Sequence, residues 1–362
     1  MKLTRRAVVA QTLGGLGALA ACKAEPAPAA PAPTPPAPLA IAPLKSVAPM
    51  AMGTALMSGQ IADAEFQRLL LTEFGQVTPE FEMKMESVLK ADGTFDFRAA
   101  DALAAFCQVH GLRLHGHTLI WYDQAPVAFN RIDGQRDAFA NAYRNYILAV
   151  AGRYRGKCSG WDVVNEPVSE AGGGYRDCLW SKNLGGMDYV ATAFRHAREA
   201  DPTAVLFLND YNLETNPLKR ASFLALAEQV LRSGAPLGGL GTQTHLDVNT
   251  PPGAIRACIR DMARLGLPIH LSEMDVSTRV TRGSEAELAD KQARLYEEAA
   301  EAMAILPVSQ RYAMTIWGVR DKDSWLRRPP RVGDGSDKPL LFEDLGRPKL
   351  ATAAMVRTFS RK

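Results

Sequence analysis

The chain has 362 residues, 47% of them hydrophobic, with 42 Lys and Arg against 39 Asp and Glu. That is enough apolar sequence to bury one large core or two modest ones. The excess positive charge belongs to Lys2, Arg5 and Arg6, and without them the count is 42 − 3 = 39 basic against 39 acidic residues, which leaves no basic field for nucleic acid or anionic lipid.

Residues 1–22 read as an export signal. A basic start precedes an apolar, glycine-rich run from Ala7 to Ala21, too short and too weakly apolar for a stable membrane span. The Arg5-Arg6 pair suggests twin-arginine export. The run ends Leu19-Ala20-Ala21-Cys22, which resembles a bacterial lipobox and makes Cys22 the expected lipid attachment site. Cleavage and soluble secretion is the alternative, and either way the protein is expected to be exported: periplasmic, anchored to an outer membrane, or extracellular. Residues 23–45 contain eight prolines interleaved with alanine. Such a segment tends to polyproline II and cannot bury a core, so it reads as a stalk.

From residue 46 to 362, short apolar runs alternate with longer helical patterns. The expected strands are Met50–Ala55, Gly75–Thr78, Leu112–Trp121, Gly160–Asn165, Ala204–Asn209, Gly238–His245, Pro268–Glu273 and Tyr312–Trp317. Amphipathic stretches lie between them: Ala64–Phe74, Arg136–Tyr154, Met187–Ala200, Ala221–Arg232, Gly253–Leu265 and Ala286–Ile305. Eight βα units in one domain predict an α/β fold, a closed (β/α)8 TIM barrel. An open doubly wound sheet is the competing arrangement, but no G-x-G-x-x-G follows the first strand and no P-loop occurs. Cys107, Cys158, Cys178 and Cys258 form no evidently bridgeable pair on this map and are expected to be free.

The strand tips carry the chemistry. In strand order they present Glu80 and Lys84, His117 and Trp121, Asn165 and Glu166, Asn209, Gln243 and His245, Glu273 and Asp275, and Trp317. Polar side chains on otherwise buried strands are costly unless they meet one another or a ligand. Seven of eight tips facing one mouth therefore point to a site. Glu166 and Glu273 form a carboxylate pair at two tips, as hydrolysis of a glycosidic bond requires. Strict alternation would aim Asn165 and Glu166 at opposite faces, so a bulge or strand end is expected between them. Cys107, His110, His115 and His117 lie near one another in sequence but fit no usual zinc spacing; no metal or other cofactor is expected. Trp161 and Trp180 read as packing residues.

The motifs VTPEFEMKM (77–85), GHTLIW (116–121), WDVVNEP (161–167), LNDYN (208–212), GTQTH (241–245), SEMD (272–275) and TIWGVRDKDSWL (315–326) together resemble glycoside hydrolase family 10, the endo-β-1,4-xylanases. The resemblance runs from about Gly53 to the C-terminus. It implies cleavage of xylan or xylooligosaccharides by double displacement, with Glu166 as acid/base and Glu273 as nucleophile. It further implies supporting roles for Asn165, His245, Asp275 and Gln243, and substrate contacts from Glu80, Lys84, His117, Trp121, Asn209, Trp317 and Trp325. A monomer is expected, meeting a membrane only through an N-terminal lipid. Three positions depart from the family pattern: Phe81 where Asn is usual, Met85 for Trp, and Tyr122 for His. Two alternatives follow, a same-fold β-glycosidase tuned to a decorated xylan or another β-linked glycan, and a glycan-binding lipoprotein without catalysis.

Overall fold

A computed structural model describes residues 41–361 except 280, 281 and 332. The signal, Cys22 and most of the Pro/Ala-rich segment lie outside the described residues. Eight strands form the barrel: β1 (Ala51–Leu56), β2 (Gln76–Pro79), β3 (Arg113–Gly116), β4 (Cys158–Asn165), β5 (Val205–Asp210), β6 (Gly239–Thr242), β7 (Ile269–Ser277) and β8 (Arg311–Ile316). Each pairs in parallel with its sequence neighbour, and β8 pairs with β1, so the ring closes. The principal helices are α1 (Ala64–Glu73), α2 (Arg98–Val109), α3 (Arg136–Arg153), α4 (Asp188–Ala200), α5 (Pro217–Arg232), α6 (Ala254–Ala263), α7 (Glu285–Ala304) and α8 (Leu350–Ser360).

Local chemistry sets the helix starts. The Asp63 carboxylate accepts from the backbone N–H of Glu65 and Phe66 and opens α1. Ser284 and Glu287 form a reciprocal capping box on α7. Asn216 caps α5 with Pro217 at its first turn, where a missing N–H costs nothing. That helix therefore begins four residues before the apolar pattern does. The inward faces of α3 and α4 bury Phe139, Tyr143, Tyr146, Tyr189 and Phe194 in one core with Trp161 and Trp180, and both tryptophans are fully buried as packing residues. The four described cysteines are free.

Two expected strands are each broken in two. After β3 the chain leaves the sheet and returns as Ile120–Trp121, which pairs with β4. In the gap the Thr118 hydroxyl and the Leu119 N–H both donate to Asp162 O, so the polar residues pair with β4 by side chain and turn rather than by ladder. After β6, Thr244 adopts φ 58° and the chain resumes as His245–Asp247 beside β7. Both breaks fall at the C-terminal rim, where they re-aim His117 and His245. Gly116 allows the approach that the first break needs, because a Cβ there would stand 2.2 Å from the Trp161 ring.

The N-terminal boundary also moves. Leu44, assigned by composition to the stalk, lies in the short helix Leu44–Val47, is fully buried, and donates its N–H to Glu73 at 2.9 Å. Proline content marked the segment, but a single leucine facing the gap between α1 and α8 is enough to anchor it.

Candidate active site

Glu166 follows the last residue of β4 and sits at φ 57°. This left-handed residue is the strand end that the sequence required. It turns the Glu166 side chain back to the face that Asn165 already occupies, at a conformational cost that only surrounding structure can hold. The register of β4 against β5 also shifts between Asp162 and Val164, which aims Asn165 at the mouth.

One hydrogen-bond network joins the two carboxylates. Gln243 Nε2 donates to Glu166 Oε1 at 2.8 Å and to Asn165 Oδ1 at 3.2 Å. Asn209 Nδ2 donates to Asn165 Oδ1 at 2.9 Å and to Glu273 Oε1 at 3.0 Å. Ser272 Oγ, which sequence reading did not single out, donates to Asn209 Oδ1 at 2.8 Å and fixes that amide. On the far side of Glu273, His245 Nε2 stands 3.5 Å from Oε2 and His245 Nδ1 stands 3.0 Å from Asp275 Oδ1. Trp325 Nε1 donates to the other Asp275 oxygen at 2.7 Å. The tips of β4, β5, β6 and β7 are thus one connected unit.

The environments of the two carboxylates differ in kind. Burial pushes the Glu166 carboxyl above the ordinary glutamate range; the Gln243 amide and the Trp121 indole oppose this, while the charge of Glu273 adds to it. Burial acts on Glu273 in the same direction, but His117, His245 and Lys84 outweigh it, and its carboxyl is held below the ordinary range. His245 is itself raised to about 10: burial opposes the charged ring, but Asp275 and Glu273 together dominate. Burial lowers Lys84, against the pull of Glu273, Glu80 and Glu166.

The remaining predicted residues take these places. His117 Nδ1–H donates to Asp162 Oδ2 at 2.8 Å, which leaves Nε2 to face the mouth. Lys84 Nζ lies 4.8 Å from the Trp121 ring centroid. Trp317 packs edge-on between His117 and His245, with centroids 5.4 and 6.2 Å away; it is nearly buried, so it closes the wall rather than presenting an open face. One face of Trp325 carries the Arg331 guanidinium at 4.4 Å. Glu80 forms an ion pair with Arg328, and burial raises its carboxyl against the Arg328 charge. Phe81 is 45% exposed, with Lys84 Nζ 5.1 Å and Arg328 Cζ 5.8 Å from its ring.

Sequence reading missed two residues of the site, Arg328 and Arg176. Arg176 Nε donates to the Glu166 carbonyl at 3.0 Å, and its guanidinium lies 4.0 Å from the Tyr122 ring centroid. Both arginines come from loops, and no periodicity or strand-tip position marks them. Asp210 is buried and paired with Lys219 Nζ at 2.9 Å; it accepts from the Val168 N–H and so ties down the segment after Glu166.

A barrel mouth that pairs a carboxyl held above the ordinary glutamate range with one held below it, on a shared network, is suited to acid/base and nucleophilic chemistry at an acetal. Comparison with known proteins agrees. Residues 43–358 match glycosyl hydrolase family 10. The chain is 32% identical over 320 residues to endo-1,4-beta-xylanase A of Thermoanaerobacterium saccharolyticum, covering 84% of this chain but only 26% of that longer protein. It is 34% identical over 318 residues to endo-1,4-beta-xylanase B of Paenibacillus barcinonensis, covering 81% and 93% of the two. A structure of a thermostable mutant of the xylanase Xyn10A from Cellvibrio japonicus superposes with a TM-score of 0.80 at 31% identity, over 88% of this chain and 99% of that one. Sequence, barrel and strand-tip constellation converge: the chain belongs to glycosyl hydrolase family 10.

Proposed function

We propose that this protein is a retaining endo-β-1,4-xylanase that cleaves internal xylosidic bonds of xylan. The observation that carries the reading is the opposed acidity of Glu166 and Glu273 on one network. In the first step the Glu273 carboxylate attacks the anomeric carbon while Glu166 gives its proton to the glycosidic oxygen. The carbon–oxygen bond to the leaving chain breaks, and a glycosyl ester to Glu273 forms. In the second step Glu166, now ionised, takes a proton from water. The oxygen of that water attacks the same carbon, Glu273 leaves as a carboxylate, and two inversions give net retention.

The other residues support these steps. Asn165, held by Gln243 and Asn209, offers its amide N–H to the 2-hydroxyl of the sugar under attack. His245, held by Asp275, keeps Glu273 ionised and oriented. Glu80, Lys84 and His117 bind hydroxyls on the non-reducing side, and Trp121, Trp317 and Trp325 wall the cleft, since sugar rings present apolar faces to aromatics.

Export is part of the same reading. A neutral mature surface suits a polymer that no cell imports whole, and a lipidated Cys22 followed by a Pro/Ala stalk would hold a monomeric barrel away from a membrane. Among the described residues no helix is long and apolar enough to cross a membrane. The test of activity is release of reducing sugar from glucuronoarabinoxylan by the purified chain beside its Glu273→Ala variant. Internal cleavage lost in the variant is expected; an intact protein that leaves xylan untouched would refute the substrate. Intact mass of membrane-extracted protein tests the anchor, and absence of acyl groups would refute it.

A further inference from the structure

Below the catalytic mouth, three fully buried side chains from three strands converge: His115 on β3, Asp162 on β4 and His270 on β7. One ligand-capable atom of each lies within 4.8 Å of the other two. Each residue has its other polar atom held from outside. His115 Nδ1 meets Tyr312 OH at 3.0 Å, His270 Nε2 meets Thr315 Oγ1 at 2.7 Å, and Asp162 Oδ2 meets His117 Nδ1 at 2.8 Å. The inward atoms, His115 Nε2, Asp162 Oδ1 and His270 Nδ1, have no hydrogen-bond partner among the described residues.

Proton positions sharpen the problem. Ser159 Oγ donates to Leu114 O, so the Tyr312 hydroxyl donates to Ser159 and accepts from His115 Nδ1–H. A neutral His115 in that tautomer turns the lone pair of Nε2 toward Asp162 Oδ1, 3.2 Å away. Two acceptors at that separation, fully out of water, require a cation between them. A proton on His115 would serve that pair but leave His270 Nδ1 unused. A divalent metal serves all three. Ligand atoms on one zinc ion, bound at about 2.0–2.2 Å, stand roughly 3.3 Å apart, and the observed His115–Asp162 separation matches this. Outer partners that fix each ligand's tautomer and orientation are the usual surroundings of such a site.

We infer that His115, Asp162 and His270 form a buried two-histidine, one-carboxylate site for a zinc-class divalent ion, loaded during folding, with a fourth coordination position left open. It revises the expectation of no metal, which rested on local spacing; here the ligands are 47 and 108 residues apart in the chain (162 − 115 = 47, 270 − 162 = 108) and only the barrel brings them together.

The test is metal content of the purified, tag-free chain, and of the same chain refolded with excess Zn²⁺ or Co²⁺ and then desalted, because a buried site loads with folding. The expected result is about one equivalent retained, visible absorption of the cobalt form, and a thermal midpoint lowered when refolding is done with a chelator. The His270→Gln variant, with its fold checked by circular dichroism, is expected to retain less than about a tenth of an equivalent. No retained metal in the unmodified chain would overturn the inference and assign the gap between His115 and Asp162 to a proton alone. Equal retention by His270→Gln would overturn it too, placing the ion elsewhere. Should that variant not fold, His115→Gln is measured in its place under the same criteria.

Discussion

Two glutamates at two strand tips of one barrel, both buried and both bonded to side-chain amides, hold their protons in opposite ways. At the end of β4, Glu166 has the Gln243 amide, the Trp121 indole and the more remote charge of Arg176 against it, the charge of Glu273 adding to its burial, and desolvation prevails. At β7, Glu273 has His117, His245 and Lys84 within electrostatic reach, and charge prevails. The lesson is that burial alone does not set acidity: the same desolvation leaves one carboxyl raised and the other lowered according to how strongly the charges beside it offset it.

The largest break in the comparison is removal of the ionised partner. Glu273→Ala should lower kcat on xylan by roughly 10⁴–10⁶-fold without preventing xylooligosaccharide binding, as followed by calorimetry. Glu166→Ala should cost about 10²–10⁴-fold on xylan and far less on an aryl xyloside whose leaving group needs no proton. Azide should restore its turnover and give a β-glycosyl azide, because the anion replaces the activated water in the second step.

A subtler way to blur the difference is to take away the charge beside Glu273. His245→Asn should reduce kcat by about 10–100-fold and move the acidic limb of the pH–rate profile upward, since Glu273 loses a group that lowers it. The same histidine gives a stability signature. Its folded value of about 10 lies above the ordinary 6.5, so its contribution is complete below 6.5 and is lost as pH rises toward 10. The thermal midpoint of the unmodified chain should therefore fall across that window, and that of His245→Asn should fall less. The smallest effect is expected at Phe81, which offers a ring between two cations where a hydrogen-bonding residue is usual. Phe81→Asn should raise kcat/KM on linear xylooligosaccharides by up to about 5-fold, the worth of one neutral hydrogen bond, and leave the pH profile in place.

What could be read from the sequence was what local pattern encodes. The β8–β1 closure, the place of each of the eight strands, and the gathering of Asn165, Glu166, Asn209, Gln243, His245, Glu273 and Asp275 followed from apolar runs with polar tips. The conflict between strand alternation and the Asn165-Glu166 pair even located the left-handed residue. What stayed hidden was set by tertiary contact. Arg328 reaches Glu80 across 248 residues, Arg176 reaches the Glu166 carbonyl from a glycine-rich loop, and Leu44 escapes its proline-rich surroundings by packing. The breaks after β3 and β6 were equally hidden, because polar groups bonding across a turn leave the apolar alternation intact.

The division of labour between the two glutamates can be caught in a single covalent species. The chain would be incubated with a 2-deoxy-2-fluoro xylobioside bearing a good leaving group, which forms the glycosyl-enzyme readily and hydrolyses it slowly, and then analysed by intact mass and peptide mapping. A single adduct on the peptide that carries Glu273, absent in Glu273→Ala, is the predicted result. No adduct from a chain that still cleaves xylan, or an adduct on Glu166, would contradict the assignment of proton and charge to the two strand tips.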